Sequence, residues 1–291
     1  MNPAGSKPSC PEAETSAPTG GSSSAAPSRD LEASSLTPAT WLTSVREVPM
    51  SERREASFSL AFAFASDPLS VYLLAGDGSN LTAEQTWALH LRIMSCTFAA
   101  YRIRGIVTTI GPDYDAIALW TPPGKFMDDW WATFRSGTWR LAYQLPVEAR
   151  KRFFDELVPA LHDTREKTMG ERNNDTWYLG YIATKPSARG RGYASKLIRD
   201  VTQKAGLTIS VETPSPPSPP PGADAENRPI YLESTSGSNN GFYAKFGFET
   251  KSLIELKRGP VPIRLCCMVR EPHPVQLRAS ETESSNEGVK V

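Results

Sequence analysis

One stretch, from Trp177 to about Val201, constrains this chain more than any other. Trp177-Tyr178-Leu179-Gly180-Tyr181-Ile182-Ala183-Thr184 is a strand-like run. It is followed by Arg189-Gly190-Arg191-Gly192-Tyr193-Ala194, and then by Ala194, Leu197, Ile198 and Val201 at the spacing of one helical face. A strand, a turn with two glycines and a helix N-terminus together make an anion cradle. The first-turn N–H groups have no intrahelical partner, and the helix dipole places about half a positive charge there. Gly190 and Gly192 let a phosphate approach the backbone without meeting a Cβ, and Arg189 and Arg191 add positive charge. The ligand group expected here is a pyrophosphate.

The order of residues separates the known phosphate binders. A P-loop needs G-x-x-x-x-G-K-[ST], and Lys196 stands too close to Gly192 for that. A dinucleotide fingerprint needs three glycines, and Ser195 stands where the third belongs. The residues do match R-x-x-G-x-A, which resembles the acetyl-CoA signature of the GNAT superfamily of N-acetyltransferases. Downstream, 228–234 reads as a short buried strand, and Thr235-Ser236-Gly237-Ser238-Asn239-Asn240 has the composition of a turn and helix start. Phe242-Tyr243-Ala244-Lys245-Phe246-Gly247-Phe248 follows, before a strand resumes at 249–256. That F-Y-x-K-x-G-F run resembles the second GNAT signature, and the two occur in the right order and setting. The chain is therefore identified as similar to GNAT acetyltransferases, most of all to small fungal members with W-Y-L-x-x-[IL]-A-T before the cradle. The resemblance is strong over 177–271 and weak over 45–120.

The resemblance implies a role for each matched residue. Ile182, Ala183 and Thr184 end a strand that splays from its neighbour and offers backbone groups to the pantetheine arm. Arg189, Gly190, Arg191, Gly192, Tyr193 and Ala194 bind the pyrophosphate. Tyr243 matches the tyrosine that protonates the departing CoA thiolate, as a phenol of reference pKa near 10 can do for a thiolate whose thiol titrates near 8.5; the alternative is a buried ring holding helix to sheet. Gly247 reads as a helix C-cap. Many members carry Asn where this chain has Ser236, seven residues before Tyr243. Ser236, Asn239 or Asn240 takes over that pantetheine contact, or the two asparagines cap the helix.

The base is less visible. An acceptor amine with a pKa near 10.4 is protonated at pH 7, and neutralising it costs about 4–5 kcal/mol. Glu233, on the strand beside the proposed active site, is the leading choice, with Asp175 as the other carboxylate weighed. Each is otherwise an ordinary solvated or salt-bridged group.

Outside this region the sequence sets limits. Residues 1–40 are rich in Ser, Pro, Ala, Gly and Thr, and 273–291 turn polar again, so both tails are expected to be disordered around an acetyltransferase domain at 41–272. Lys plus Arg equals Asp plus Glu at 32 each, so no global field attracts nucleic acid. No apolar run reaches the ~18–20 residues that span a bilayer. The N-terminus lacks the features of a secretory signal or transit peptide, which points to a cytoplasmic or nuclear protein. Cys10, Cys96, Cys266 and Cys267, with His90, His162 and His273, show neither a disulfide framework nor metal-ligand spacing, and no metal is expected.

Upstream, 44–50 reads as a strand, 52–64 as a helix, Thr82-Ala83-Glu84 as the start of a helix reaching about Ala99, and 103–110 and 116–120 as strands. The family resemblance implies an α/β (α+β) fold, a mixed central sheet of about six or seven strands flanked by helices. It requires a helical insertion at 125–174, read as helices over 128–143 and 147–164. That insertion carries Phe126, Trp130, Trp131, Phe134, Trp139 and Tyr143, which either pack a cap onto the sheet or form a lid over an acceptor pocket, with Asp128 and Asp129 attracting an amine. A second insertion at 207–223 contains Pro214-Ser215-Pro216-Pro217-Ser218-Pro219-Pro220-Pro221, an exposed extended loop or a retained intron in the gene model.

The function expected is direct transfer of acetyl from acetyl-CoA, as co-substrate, to a primary amine of a small molecule through a ternary complex. Protein or histone lysine or an N-terminus is the alternative acceptor. A non-catalytic acyl-CoA sensor is the alternative of another class.

Overall fold

The computed structural model describes residues 37–74, 80–127, 129–203, 223–224 and 226–272. Cys10, Asp128, His273, the terminal stretches 1–36 and 273–291, and the proline-rich run lie outside the described residues. After a one-turn helix, Thr40–Thr43, the chain forms β1 (Arg46–Glu47), α1 (Arg53–Ala63), α2 (Pro68–Leu74), α3 (Ala83–Arg104), β2 (Ile106–Ile110) and β3 (Ala116–Thr121). The next segment is helical: α4 (Trp130–Ser136), α5 (Leu141–Gln144), α6 (Val147–Lys151) and α7 (Val158–Met169), the last two joined by a π-helical turn at Arg152–Leu157. Then come β4 (Trp177–Thr184), α8 (Tyr193–Gln203), β5 (Ile230–Ser234), α9 (Gly237–Ala244), β6 (Phe248–Leu256) and β7 (Ile263–Arg270).

The strands form one seven-stranded sheet in the order β1-β2-β3-β4-β5-β7-β6. Neighbours are antiparallel except β4 and β5, which run parallel with α8 in the connection between them. This is the mixed, helix-flanked α/β sheet that the family resemblance implies.

Local chemistry accounts for the elements and for the places where the expected boundaries move. Thr82 and Gln85 form a capping box at the start of α3, each side chain accepting from the other's backbone N–H. The helix runs on past Ala99 to Arg104 because Tyr101, completely buried, continues its inward face. The strand expected from 103 therefore starts at Ile106. The first strand shrinks to Arg46 and Glu47, paired with Thr109 and Thr108, and Pro49 closes the ladder. Helix α2 is not anticipated by periodicity. Asp67 caps it by accepting from the N–H groups of Leu69 and Ser70, with Pro68 at the first helical position.

The sheet is covered on both faces. In β3, Ile117 and Leu119 pack against α1 and α3, while Ala116, Ala118 and Trp120 join the α8 side with Leu197 and Ile198. That two-sided burial is why β3 reads as a continuous apolar run rather than an alternating one. At the other end of the sheet, Tyr231, Leu265 and Cys267 pack with Tyr72 of α2 and with Leu157 and Met169 from the β3–β4 segment. The described chain resumes after α8 at Ala223, whose N–H donates to the Val201 carbonyl at 3.1 Å. The two flanks of residues 204–222 thus stand side by side.

Candidate active site

Strand β4 stays paired with β3 as far as Thr184, opposite Ala116. On its other edge it pairs with β5 only at Trp177, Tyr178 and Leu179. Beyond Leu179 the two strands part, and the edge of Gly180–Thr184 facing β5 has no strand partner among the described residues. Peptide groups on such an edge need partners, and the amides of an extended ligand supply them. Gly180 is required for packing, since a Cβ there would collide with the Tyr101 hydroxyl.

After β4 the chain makes a 3-10 turn, Pro186–Ala188, and then takes left-handed backbone at Gly190 (φ 82°) and Gly192 (φ 74°) before α8. Both conformations favour glycine. Arg189 and Arg191 are exposed, and the Tyr193 ring is buried in the core, so any part Tyr193 plays at a ligand falls to its backbone. A groove of about 420 Å³ runs from this turn along the open edge of β4. Ile182, Ala183, Thr184, Arg189 and Ala194 line one side; Ser236, Asn239 and Tyr243 line the other. Ser236 is the N-cap residue of α9, Asn239 and Asn240 lie inside the helix, and the capping alternative for the asparagines is thereby removed. Asn240 does not line the groove, and its Oδ1 is buried without a hydrogen-bond partner among the described residues. Gly247 has left-handed backbone (φ 84°) in the turn after α9.

The groove leads at Tyr243 into a cavity of about 120 Å³ with which it shares Phe64, Asp67, Ile182 and Asn239. Glu233 lies deeper in that cavity. Tyr178 Oη donates to Glu233 Oε2 at 2.8 Å, and burial lifts the carboxyl to about 7, opposed by the Tyr178 hydrogen bond and by the charge of Arg165. The Tyr243 phenol is pushed up to about 12, mainly by burial and further by the negative charge of Asp67. Past Glu233 a smaller pocket of about 70 Å³ continues, lined by Phe126, Met127, Leu161 and Arg165. Groove, cavity and pocket form a series, with Tyr243 at the first junction and Glu233 at the second.

Two parts of this arrangement escape a reading of the sequence. Asp67 is the first. Its Oδ2 accepts from Thr235 Oγ1 at 2.5 Å, and burial raises its pKa against that bond and the two capping N–H groups. The Asp67-Pro68 pair is a helix-start signal, but nothing local to it indicates an active site. The second is the wall made by Leu157, Leu161 and Arg165, spaced four apart along one face from the π-helical turn into α7.

Other expectations fail here. Asp175 pairs with Arg228 at 2.7 Å, 69% exposed, before the start of β4 and so at the end opposite the open edge. The rings of α4 and its neighbours neither cap the sheet nor cover the acceptor: Trp130 is 77%, Phe134 62% and Tyr143 62% exposed. None of them lines either cavity. Asp129 caps α4 through the Ala132 N–H and is ion-paired with Arg104, so it does not face the cavity as an amine trap. Of the aromatic residues in this segment, Phe126 alone reaches the acceptor side.

A sequence model of the acetyltransferase (GNAT) domain family matches residues 160–250, which run from within α7 through the open strand and the cradle to Tyr243 and the start of β6. An uncharacterised N-acetyltransferase of Schizosaccharomyces pombe is 36% identical over 243 residues, 83% of this chain and 85% of that protein. Among solved structures, one from Corynebacterium glutamicum, described as histone acetyltransferase HPA2 and related acetyltransferase, superposes with a TM-score of 0.50 at 19% identity. It covers 80% of this chain and 98% of its own, and supports the fold. The chain belongs to the GNAT superfamily. It is an N-acetyltransferase, of a family whose co-substrate is acetyl-CoA.

Proposed function

We propose that this enzyme transfers acetyl directly from acetyl-CoA to the primary amine of a small molecule, with Glu233 as general base and Tyr243 as general acid. The observation that carries this reading is the position of Glu233. A carboxyl titrating near 7, oriented by Tyr178, lies in a largely apolar cavity that joins the cofactor groove at Tyr243. An enclosed cavity of this size suits a compact amine better than a side chain presented on a protein surface.

The steps follow from that geometry. The pyrophosphate lies at the Arg189–Ala194 turn, where the peptide N–H groups and both arginines meet it. Pantetheine amides complete the open edge of β4, bringing the thioester to Tyr243. Glu233 takes one proton from the ammonium, and the free amine attacks the thioester carbonyl. An N–H of the open edge stabilises the oxyanion. The C–S bond then breaks, and Tyr243 protonates the sulfur. With its pKa near 12 the phenol is protonated at every physiological pH, but giving that proton to a thiolate is uphill. Collapse therefore has to return a proton from the substituted nitrogen to the phenol. Amide, free CoA and one proton leave.

The test is release of free thiol from acetyl-CoA across polyamines, amino acids, amino sugars, arylamines and histone peptides. Turnover of small amines, lost in Y243F while acetyl-CoA still binds, supports the reading. Turnover confined to peptides overturns the small-molecule acceptor.

A further inference from the structure

The inner pocket holds a positive charge that acts on the base through its field but touches none of the reacting atoms in the steps above. Arg165 of α7 lines it beside Glu233, against Phe126, Met127 and Leu161. Its guanidinium carbon lies 4.9 Å from the Tyr178 ring centroid, 5.7 Å from that of Phe126 and 6.0 Å from that of Tyr231. One Nη donates to the Asn173 carbonyl at 3.2 Å, and Nε is buried without a hydrogen-bond partner among the described residues. Among the described residues no carboxylate stands at ion-pair distance from it. Arg270, which is buried where Arg165 is half-buried, has its anion supplied by the chain: Asp224 holds it with two bonds of 2.7 and 2.8 Å.

A guanidinium partly withdrawn from water, with its Nε buried, favours an anion or further acceptors, and three ring faces supply only part of that. The carboxyl nearest in effect is Glu233, but a base that has accepted the substrate's proton is neutral. Arg165 then has no counter-charge at the moment the amine is ready to attack. Lys125 lines the same pocket, and Glu233 is the one carboxylate among its described lining residues. A diamine or polyamine would drive a second ammonium towards these two cations, which opposes binding in a pocket whose other lining residues are Thr121, His162, Tyr178 and apolar side chains.

We propose that the acceptor is an amino acid with an apolar body, its carboxylate held by Arg165, its side chain against Phe126, Met127 and Leu161, and its amine between Glu233 and the thioester. This rests on the reading of the site as that of a small-amine acetyltransferase. A carboxylate supplies the bidentate acceptor that a guanidinium matches best. It also places the positive and negative ends of the substrate opposite Glu233 and Arg165 respectively.

The deciding experiment gives the wild-type enzyme matched pairs: phenylalanine with 2-phenylethylamine, and leucine with 3-methylbutylamine. The amino acid is expected to have a kcat/KM higher by about tenfold to a hundredfold, the worth of a charge-assisted hydrogen bond. In R165Q that ratio should collapse towards one through a raised KM for the amino acid, with part of the ratio recovered in R165K. Amines lacking the carboxylate that work as well as the amino acids would overturn this assignment and leave the small-amine reading standing. A preference that survives in R165Q overturns it too. Turnover of lysine peptides alone, with neither member of any pair acetylated, removes both readings. The wild-type comparison decides the matter even where R165Q fails to fold.

Discussion

The groove that begins at Arg189 and the cavity that holds Glu233 meet at Tyr243, yet they are assembled in different ways. The groove is mostly the work of one continuous run, β4 through the start of α8, closed by α9. Its binding groups are largely backbone: an unpaired strand edge, two left-handed glycines and the first turn of a helix. The cavity takes its walls from α2, α3, the π-helical turn, α7, β4, β5 and β7, and its chemistry rests on side chains held by distant partners. Tyr178 and Glu233 are 55 residues apart in the chain, and Asp67 and Thr235 are 168 apart. A backbone site fixes one ligand for a whole family; a side-chain site can change its ligand one residue at a time.

The sharpest way to test that division is at the junction. Tyr243→Phe should lower kcat by about 10²–10⁴-fold, the usual worth of a positioned proton donor, with the acetyl-CoA Kd changed by less than about threefold. Stopped-flow thiol release and calorimetric titration of acetyl-CoA separate the two quantities. A comparable loss of acetyl-CoA affinity would mean that the ring mainly supports the groove.

Glu233→Gln breaks the acceptor half alone. We expect kcat/KM for the amine to fall about 10²-fold at pH 8. In the wild type the same quantity should fall tenfold per pH unit below about 7, because the protonated carboxyl cannot accept the ammonium proton. That limb should vanish in the variant. Stability should move the other way. Burial raises the Glu233 pKa from 4.5 to about 7, so the folded state binds this proton more tightly than the unfolded chain. The stability linked to that proton is fully present below about pH 4.5 and is lost as pH rises through 7, at a cost of about 3 kcal/mol. Glu233→Gln should therefore raise Tm at pH 8 and change it little at pH 4. A lower Tm at pH 8 would show that the carboxylate is better compensated than its surroundings indicate.

Asp67→Asn asks whether the second carboxylate belongs to the acceptor. Asn caps a helix about as well as Asp, so α2 should persist. Loss of the charge should raise the amine KM about tenfold, the effect of one removed ion contact, and leave the acetyl-CoA KM within about twofold. A change confined to acetyl-CoA would assign Asp67 to the groove side of Tyr243.

The same division explains what could be read in advance. Trp177–Thr184, the glycine turn and the helix after it are legible because their roles depend on residues adjacent in the chain. Glu233 could be picked out by its strand, but its perturbed pKa comes from burial and from Tyr178 and Arg165, which no local pattern announces. Asp67 precedes Pro68 at the start of α2, and its place in the site comes from Thr235, 168 residues away, which no local pattern announces. The aromatic residues of α4 drew attention by composition, whereas the wall that matters carries ordinary leucines at helical spacing, indistinguishable in sequence from any core helix.

That contrast yields the smallest expected effect. Trp130 is 77% exposed and lines neither cavity, so Trp130→Ala should leave the acceptor KM within about twofold. Leu161 lines both the cavity and the inner pocket, so Leu161→Ala should raise that KM by about three- to tenfold through lost apolar contact. Steady-state kinetics with one amine at saturating acetyl-CoA would compare them directly. If Trp130→Ala proved the more damaging, the exposed rings of α4 would have to fold over the substrate in the working enzyme, and the acceptor half would include a moving part. If Leu161→Ala is the more damaging, the acceptor is recognised by a fixed wall, and specificity within this enzyme is a matter of which side chains α7 presents to Glu233.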